Sequence, residues 1–378
     1  MKIGVDIRSL MDKNFSGVST FTYNLLLNLL ELDKENKYFL YYNSLSEVNL
    51  PTLPSEVEVI RTSYPNKIFN YIMQKGLNYP KLDKVMGGLD LFWEPHFNFF
   101  NLSKDVKNVV TVHDLSFIRY REFFSQRKNS WHKALNIKKI LNDADKIMTV
   151  SKNTGLDIME LFSIPERKIE VIYSGLESGF FDEISNKEKE RVRNKLGLAE
   201  KFILSLSTLE PRKNIVSLIE AYNILRRRRP DLRAVKLVIA GSKGWRYQNI
   251  INSWHKSEFK DDIIFLGYIE DEDKKALYSL AEVFVFPSFY EGFGFPILEA
   301  MAVKTPVICS FNSSLSEVAG SSALLINPFR VKEIAWSISQ LIDNNNLKEF
   351  YIKRGYDRSL NFSWQKTAKS YLETFNSM

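Results

Sequence analysis

Two glutamates, Glu291 and Glu299, lie eight positions apart and enclose a stretch that contains two glycines and a proline. Glycine lets the backbone approach a ligand closely, and Pro296 suits the first position of a helix, so Glu299 is predicted to fall in the first helical turn. This arrangement predicts one carboxylate at each end of a bound molecule. The alternative for Glu299 is an acid that the helix dipole favours near a helix start.

Two adjacent cations, Arg212 and Lys213, follow the apolar run 202–206 and precede an apolar helical pattern. Arginine can fork onto phosphate oxygens and lysine adds a point charge, so the pair suits a diphosphate. A solvated helix start is the alternative. However, cations at the amino terminus of a helix run against its dipole, which favours a bound anion.

Two further candidates lie after apolar runs in the first half of the chain. His113, followed by Asp114, ends the run 108–112 and could hydrogen-bond a substrate hydroxyl or polarise a reacting group. A structural histidine held by Asp114 is the alternative. Gly17 immediately precedes a helical pattern and could bring backbone N–H groups and the positive end of the dipole to a phosphate.

Two other patterns are less favoured as sites. The acidic triplet 271–273 resembles a divalent-metal motif, but it precedes a helical run and is more typical of a capping segment. Gly292 and Gly294 lack the third glycine of a dinucleotide fingerprint, which disfavours an NAD enzyme.

The elements that must position these residues alternate between short apolar, β-branched runs and longer helical patterns, twice along the chain. This predicts two α/β domains with parallel, doubly wound sheets, and ligands of such sheets bind at the carboxyl ends of strands. Residues Phe21, Leu25, Leu29 and Leu32 share one predicted helical face, residues 178–197 are predicted to connect the domains, and residues 361–375 form an amphipathic helical pattern. The predicted strands are 2–7, 38–42, 57–61, 90–93, 108–112, 146–150, 169–173, 202–206, 236–240, 263–266, 283–286, 306–310 and 324–326.

Composition limits the class of protein. The 378 residues are 44% hydrophobic, which is enough for a large core and about two to three domains. The apolar runs fall well short of the ~20 residues that span a bilayer, and the first residues lack a signal-peptide pattern, so we expect a cytoplasmic protein. The single Cys309 excludes an internal disulfide. A net charge of +7 favours an anionic partner such as nucleic acid, an acidic membrane or nucleotide phosphate.

Together these motifs resemble the family 4 retaining glycosyltransferases, which have the GT-B fold. The resemblance implies an α/β protein with two Rossmann-like domains whose parallel sheets face each other across a cleft. Residues 1–180 would be the acceptor-side domain and residues 181–360 the nucleotide-sugar domain, with a helix at about 361–378 crossing back to the first. The motifs that carry the resemblance are Ser16-Gly17, His113-Asp114, residues 208–214, Gly267-Tyr268, residues 286–288 and residues 291–299.

The resemblance also implies hexose transfer from a nucleotide sugar with retention of configuration, without a metal or other cofactor. The implied catalytic residues are His113 near the sugar's 6-hydroxyl region, Arg212 and Lys213 on the diphosphate, and Glu291 facing the donor sugar. The implied donor-binding residues are Gly17 near the phosphates, Tyr268 near the base, Gly292, Phe293, Gly294 and Phe295 on the sugar hydroxyls, and Glu299 on the ribose. Ser16 and Ser207 depart from the pattern, because many members have glycine there.

The donor and acceptor follow from weaker similarities. Residues 313–320 are similar to bacterial mannosyltransferases of surface polysaccharides such as O-antigen, which implies GDP-mannose, with UDP- and dTDP-sugars as alternatives. The implied acceptor is a glycan or a polyprenyl-linked glycan. The basic, aromatic stretch 119–139 makes an anionic membrane a candidate partner, unless Trp131, Leu135 and Ile140 face the core and leave only a solvated basic face. Nucleic acid is not expected.

Two other classes of protein remain as rival interpretations. A non-catalytic nucleotide-sugar-binding protein could have the same fold, but the intact Arg212, Lys213, Glu291 and Glu299 argue against it. A sugar-nucleotide epimerase would need an additional acid/base group that the sequence does not reveal.

Overall fold

The structure, a computed structural model, describes the chain except residues 13–14, 66–67, 71 and 73–78 and the side chain of Arg127. The chain forms two compact units. Unit 1 contains residues 1–115, 126–175 and 363–378, and unit 2 contains residues 116–125 and 176–362. The sequence-based division lies at 180/181 and 360/361, and it assigns residues 116–125 to the first domain, whereas their contacts group them with unit 2.

Unit 1 is built on a parallel sheet of seven strands in the order β3-β2-β1-β4-β5-β6-β7. These strands are β1 (Lys2–Asp6), β2 (Lys37–Asn43), β3 (Glu58–Thr62), β4 (Leu91–Glu94), β5 (Lys107–Val112), β6 (Lys146–Thr149) and β7 (Ile169–Val171). The α-helices described in this unit are Gly17–Leu32, Leu82–Val85, Gln126–Leu135, Ile137–Asp143, Lys152–Phe162 and Trp364–Asn376.

Unit 2 is built on a parallel sheet of six strands in the order β10-β9-β8-β11-β12-β13. These strands are β8 (Lys201–Leu206), β9 (Val235–Ala240), β10 (Ile263–Gly267), β11 (Val283–Phe286), β12 (Val307–Ser310) and β13 (Leu324–Ile326). The α-helices described in this unit are Ser116–Arg119, Asn186–Leu196, Ile215–Arg228, Gln248–His255, Asp271–Leu280, Phe295–Ala302, Ser314–Ala319, Val331–Asp343 and Asn345–Ser359.

The two sheets have the topology of a Rossmann fold, and each reverses its strand order once. The reversal lies between β1 and β4 in unit 1 and between β8 and β11 in unit 2. All thirteen predicted strands are present, with ends within two residues of the prediction, and the predicted α/β class with doubly wound parallel sheets is confirmed. In open α/β sheets, the crevice outside the carboxyl ends of the strands at such a reversal is the expected ligand site.

Helix Gly17–Leu32 packs its apolar face into the core of unit 1. Phe21, Leu25 and Leu29 are buried as predicted, but Leu32 is 46% exposed, because it is the last residue of the helix. The carboxyl-terminal helix lies in the same unit. Its Trp364 ring meets the Phe21 ring edge-on at a centroid distance of 5.6 Å, and its Tyr371 hydroxyl lies 2.9 Å from the Thr111 hydroxyl.

The stretch 178–197, predicted as a connector, is an integral part of unit 2. It contains helix Asn186–Leu196, which buries Val192. On the same helix, Arg191 Nη2 and Lys195 Nζ donate to the buried Asp273 carboxylate at 2.7 and 2.6 Å. The charged residues that suggested a linker therefore form ion pairs with the second sheet's helices.

Candidate active site

Four charged side chains meet at the strand reversal of unit 2, and we call them the unit 2 cluster: Glu210, Arg212, Lys213 and Glu291. Arg212 Nη1 donates to Glu291 Oε2 at 2.7 Å, and Lys213 Nζ donates to Glu291 Oε1 at 2.6 Å. Arg212 Nε also donates to Glu210 Oε1 at 3.0 Å. The structure thus brings together three of the four predicted catalytic residues, and adds Glu210.

Two loops that leave neighbouring strands carry this cluster. After β8, a short 3₁₀ turn, Pro211–Lys213, presents both cations. Asn214 follows in the left-handed region at φ 56°, which asparagine tolerates well, and its Nδ2 donates to the carbonyls of Pro287 and Pro328. Because Pro287 directly follows β11, this side chain fastens the cation loop to the loop that carries Glu291.

The charges of the cluster depend on one another. Burial raises the pKa of Glu291, but the adjacent Arg212 and Lys213 outweigh it and lower the pKa to about 2. Burial raises the pKa of Glu210 above its usual value. Burial and the charge of Arg212 lower the pKa of Lys213. Glu291 is therefore a carboxylate at neutral pH and is bound by two cations.

The glycine-rich loop after Glu291 is held by hydrogen bonds from the first residue of helix Ser314–Ala319. Ser314 Oγ donates to the carbonyl oxygens of Glu291 and Phe293 at 2.9 and 2.8 Å. Gly294 has φ 116°, and a Cβ there would lie 2.7 Å from Leu315 Cδ2. The glycine is therefore required by both conformation and space.

Glu299 lies one residue further into its helix than predicted. Helix Phe295–Ala302 begins at Phe295, so Pro296 is its second residue and Glu299 lies in its second turn. The carboxylate is fixed by a residue that the sequence did not reveal: Tyr278 Oη donates to Glu299 Oε2 at 2.7 Å. Burial raises the pKa of Glu299 above its usual value.

Tyr268, predicted to lie near the base, follows β10 and is 43% exposed. Gly267, just before it, has φ 74° and accepts a hydrogen bond at 2.6 Å from the N–H of Gly241 at the end of β9. A Cβ on Gly241 would lie 1.9 Å from the Ser207 carbonyl oxygen. Gly241, which sequence reasoning missed, thus allows the ends of β8, β9 and β10 to approach closely.

His113 and Gly17, the two remaining predicted residues, lie in unit 1. His113 Nε2 lies 2.8 Å from the Pro95 carbonyl oxygen and therefore donates to it, since a carbonyl can only accept. Burial lowers the pKa of His113 to about 4, so the imidazole is neutral. Around Gly17, no atom of the described residues lies within 4 Å of where a Cβ would be, so packing against them does not require a glycine there.

Residues 116–125 place aromatic rings on the loop that precedes Glu291. The Tyr120 ring lies 5.6 Å from the Tyr290 ring, and the Phe123 ring stacks on Phe289 at 5.4 Å. Phe124 is buried and stacks on Trp245 at 5.3 Å. These two phenylalanines, part of the predicted lipid-facing stretch, therefore pack within unit 2.

The rest of that basic, aromatic stretch is divided between core and surface. Leu135 is buried and Ile140 is half-buried, whereas Trp131 is 42% exposed. The side chain of Arg127 lies outside the described residues. Within the described parts of the chain, no helix is both long and apolar enough to cross a membrane.

The acidic triplet opens helix Asp271–Leu280, as expected for a capping segment. Its Asp273 is buried and bound by Arg191 and Lys195. Among the residues that the structure describes, no three His, Cys, Asp or Glu side chains are arranged to hold a metal ion.

The chain matches two glycosyltransferase family models. Residues 15–179 match "Glycosyltransferase Family 4" and residues 186–358 match "Glycosyl transferases group 1". The chain is 34% identical over 284 residues to O-antigen chain mannosyltransferase B of Escherichia coli, a match that covers 74% of this chain and 72% of that protein. It is 30% identical to the serotype-specific mannosyltransferase WbdA of Escherichia coli over 75% of this chain, which spans 36% of WbdA.

The fold is also similar to that of a solved structure, Anabaena Alr3699/HepE in complex with UDP and glucose. The TM-score is 0.73 over 100% of both chains, at 19% sequence identity. Two Rossmann-like units and the charged cluster at the second strand reversal define a nucleotide-sugar-dependent glycosyltransferase with the GT-B fold. The chain belongs to the group 1 and family 4 glycosyltransferases.

Proposed function

We propose that this enzyme transfers mannose from GDP-mannose, with retention of configuration, to a glycan or polyprenyl-linked glycan acceptor of a surface polysaccharide. The observation that carries the proposal is the unit 2 cluster, in which Arg212 and Lys213 converge on Glu291 at the strand reversal. The choice of mannose is supported by the resemblance to O-antigen chain mannosyltransferase B.

In this proposal the donor diphosphate binds to Arg212 and Lys213. Within the described part of the chain, the Lys213 ammonium donates one hydrogen bond, to Glu291, so two of its three protons are available to phosphate oxygens. Glu210 and the Tyr290 carbonyl hold the Arg212 guanidinium in place. Both cations stabilise the leaving diphosphate as its negative charge grows, and this is the interaction that lowers the barrier.

Glu291 has two roles in the proposal. It holds the two cations at a fixed separation, and its carboxylate accepts hydrogen bonds from hydroxyls of the donor sugar. The N–H groups of Gly292, Phe293, Gly294 and Phe295 contact the same sugar. Glu299, fixed at one oxygen by Tyr278, accepts hydrogen bonds from the ribose hydroxyls. The donor contacts of Gly17 and His113, the place of the base near Tyr268 and the absence of a metal remain predictions.

A UDP-sugar is the alternative donor, favoured by the similarity in fold to the UDP-bound HepE structure. The test is a panel of GDP-, UDP- and dTDP-sugars, scored by release of nucleoside diphosphate with and without a mannose-containing acceptor. Release from GDP-mannose at the highest rate supports the proposal, and faster release from a UDP-sugar contradicts the assigned donor. Release from no donor would favour a non-catalytic nucleotide-sugar-binding protein.

The site assignment has its own test, because Arg212 has a matched control in the same unit. Arg227 forms an exposed pair with Glu258. We expect Arg212→Ala to remain folded and to lose most of its transfer activity, because each charge-assisted hydrogen bond contributes about 1.5–3 kcal/mol. Arg227→Ala should transfer at the wild-type rate. Near-normal turnover in Arg212→Ala would overturn the assignment.

We further propose that the protein acts in the cytoplasm and touches the inner face of the membrane through unit 1. Four exposed lysines and the exposed Trp131 support this, a combination that suits anionic lipid. The lysines are Lys128, Lys133, Lys138 and Lys139. We expect the protein to cosediment with vesicles of phosphatidylglycerol but not with vesicles of phosphatidylcholine. Cosedimentation with neither kind of vesicle, or equally with both, would contradict the proposal.

A further inference from the structure

The strand reversal of unit 1 holds a second group of ionisable side chains, which we call the unit 1 cluster: Asp6, Arg8, Glu94 and His96. Asp6 ends β1 and Glu94 ends β4, one position beyond the paired residues Val5 and Trp93. Both carboxylates are fully buried. They therefore lie side by side at the carboxyl edge of the sheet, at the place where open α/β sheets bind ligands.

Asp6 is fully compensated by Arg8. The guanidinium donates from Nε to both carboxylate oxygens, at 2.9 and 3.0 Å, and from Nη2 to Oδ2 at 2.5 Å. Arg8 Nη2 also donates to the Phe99 carbonyl oxygen at 3.1 Å. Burial raises the pKa of Asp6, but Arg8 outweighs it and lowers the pKa. Asp6 and Arg8 therefore form an ion pair in which the two charges neutralise each other.

Glu94 has no such partner. Its Oε1 accepts a hydrogen bond from the Asn98 N–H at 2.5 Å, whereas its buried Oε2 has no hydrogen-bond partner within the described part of the chain. The same is true of the buried Nδ1 of His96. Burial, and then the charge of Asp6, raise the pKa of Glu94 well above its usual value. Leaving two buried polar atoms unpaired is costly, so both are expected to have a partner in the working protein.

The charge of the cluster indicates the kind of partner. The raised pKa of Glu94 favours its neutral, protonated form, and burial lowers the pKa of His96, which favours a neutral imidazole. The cluster's single cation is already bound by Asp6. A phosphate would meet only a cation that Asp6 already neutralises, whereas a hydroxyl group can accept from a carboxylic acid and donate to a neutral imidazole nitrogen. The chemistry suits an uncharged, hydroxylated ligand.

We propose that the unit 1 cluster binds hydroxyl groups of the acceptor sugar, with Glu94 Oε2 and His96 Nδ1 as its recognition atoms. This inference rests on the proposed glycosyltransfer. It assigns acceptor recognition to a site with the same topological position as the donor cluster in unit 2, but of opposite chemical character, because it has no cation left for phosphate.

The test is a saturation-transfer NMR titration of the purified protein with methyl α-mannoside, without donor. We expect saturable binding that Glu94→Leu weakens about tenfold, because one hydrogen bond is lost at a buried site. Glu94→Gln should stay within about threefold of wild type, because its amide can still donate. Asp83→Asn is the matched control: Asp83 is also buried, but it lies in helix Leu82–Val85, away from the carboxyl edge.

Several results would overturn the inference. These are no saturable binding to wild type, equal binding to Glu94→Leu and wild type, equal weakening by Glu94→Gln and Glu94→Leu, or displacement of the mannoside by inorganic pyrophosphate. If Glu94→Leu does not fold, His96→Leu takes its place, with a severalfold weakening expected and unchanged binding contradicting the proposal.

The proposed function and this inference can be tested separately. Without acceptor, slow release of nucleoside diphosphate from the donor does not require the acceptor site. If wild type and Glu94→Leu release it equally, while only the mannoside affinity changes, the unit 1 cluster is an acceptor site. If release is normal and the mannoside affinities are identical, this inference is wrong and the proposed function stands.

Discussion

Replacing Glu291 by glutamine tests whether this carboxylate is held as the geometry indicates. Its pKa is lowered from an ordinary value of 4.5 to about 2. At about 1.4 kcal/mol per pKa unit, the ionised carboxylate contributes about 3 kcal/mol to stability at neutral pH. The side chain is 9% exposed and its partners 12%, so solvent screening is weak. Glu291→Gln removes this contribution and leaves two cations with one carboxylate fewer.

The sign of the pH dependence follows from the lowered pKa. The stabilisation is fully present above about pH 4.5, where the carboxyl is ionised in both folded and unfolded chains, and is lost as the pH falls towards 2. The stability difference between wild type and Glu291→Gln should therefore be constant from pH 5 to 7 and shrink on acidification.

Calorimetry can measure this difference. For a unit of this size, about 3 kcal/mol lowers the melting temperature by about 6–12 °C. If the donor binds as proposed, the transition of unit 2 can be identified as the one that a nucleoside diphosphate raises. Glu282→Gln is the matched control, since its pair with Lys348 is more exposed and contributes at most about 1 kcal/mol.

The same variant separates binding from transfer. Without the carboxylate that competes for Arg212 and Lys213, the affinity for GDP should be kept or increased, while transfer falls. Two results would refute the assigned electrostatics. One is a melting-temperature shift in Glu291→Gln no larger than that in Glu282→Gln, and the other is a stability difference between wild type and Glu291→Gln that does not change down to pH 3. Loss of GDP affinity in parallel with transfer would refute the assigned roles.

Three further predictions concern positioning and access. Tyr278→Phe removes the donor to Glu299 Oε2 and should weaken nucleoside diphosphate binding about tenfold in titration calorimetry; unchanged affinity would argue against a ribose contact. In Gly17→Ala the new methyl group meets nothing within 4 Å among the described residues, so the free energy of unfolding should be unchanged or raised by up to about 1 kcal/mol while transfer falls, and full transfer would contradict a backbone contact. Phe123→Ala removes the ring that stacks on the Glu291 loop and should lower kcat up to about tenfold with little change in donor KM, whereas equal losses in Phe124→Ala would indicate only general destabilisation.

The fold could be predicted from the sequence because parallel strands that are buried on both faces form continuous apolar runs. The run at 283–286 is such a strand, and the structure has it with identical ends. Helix faces were less certain at their ends. Leu32 continues the apolar spacing of its helix, but being its last residue it extends beyond the sheet into solvent.

Part of the site was predictable for a topological reason. Chain segments that follow strands of one parallel sheet lie at one edge of it, so Arg212 after β8 and Glu291 after β11 had to be neighbours if those strands are adjacent. Their direct contact at 2.7 Å could not be predicted, because loop conformation decides it. Glu210 was visible in the same motif, but the extended backbone before the 3₁₀ turn is what directs it to Arg212.

Other contacts have no signal in the local sequence. Tyr278 and Glu299 are on consecutive helices of unit 2 and meet only because those helices pack together. In the sequence, Gly241 is an ordinary glycine after a strand. Only the structure reveals that a Cβ there would clash with the Ser207 carbonyl oxygen. The packing of Phe123 and Phe124 could not be predicted from composition, because their partners, Phe289 and Trp245, are more than a hundred positions away.

The two strand reversals carry charged clusters of different chemical character on the same sheet topology. In unit 2, Glu291 follows β11 and meets Arg212, which follows β8, whereas in unit 1 Asp6 ends β1 and meets Arg8, which follows the same strand. In unit 2 the carboxylate is shared between two cations, and Lys213 keeps protons for a diphosphate. In the unit 1 cluster the single arginine is paired with Asp6, and the buried Glu94 Oε2 has no hydrogen-bond partner among the described residues. Because the unit 2 cluster has two cations and the unit 1 cluster has one, which Asp6 neutralises, the reversal of unit 2 suits a diphosphate better than that of unit 1.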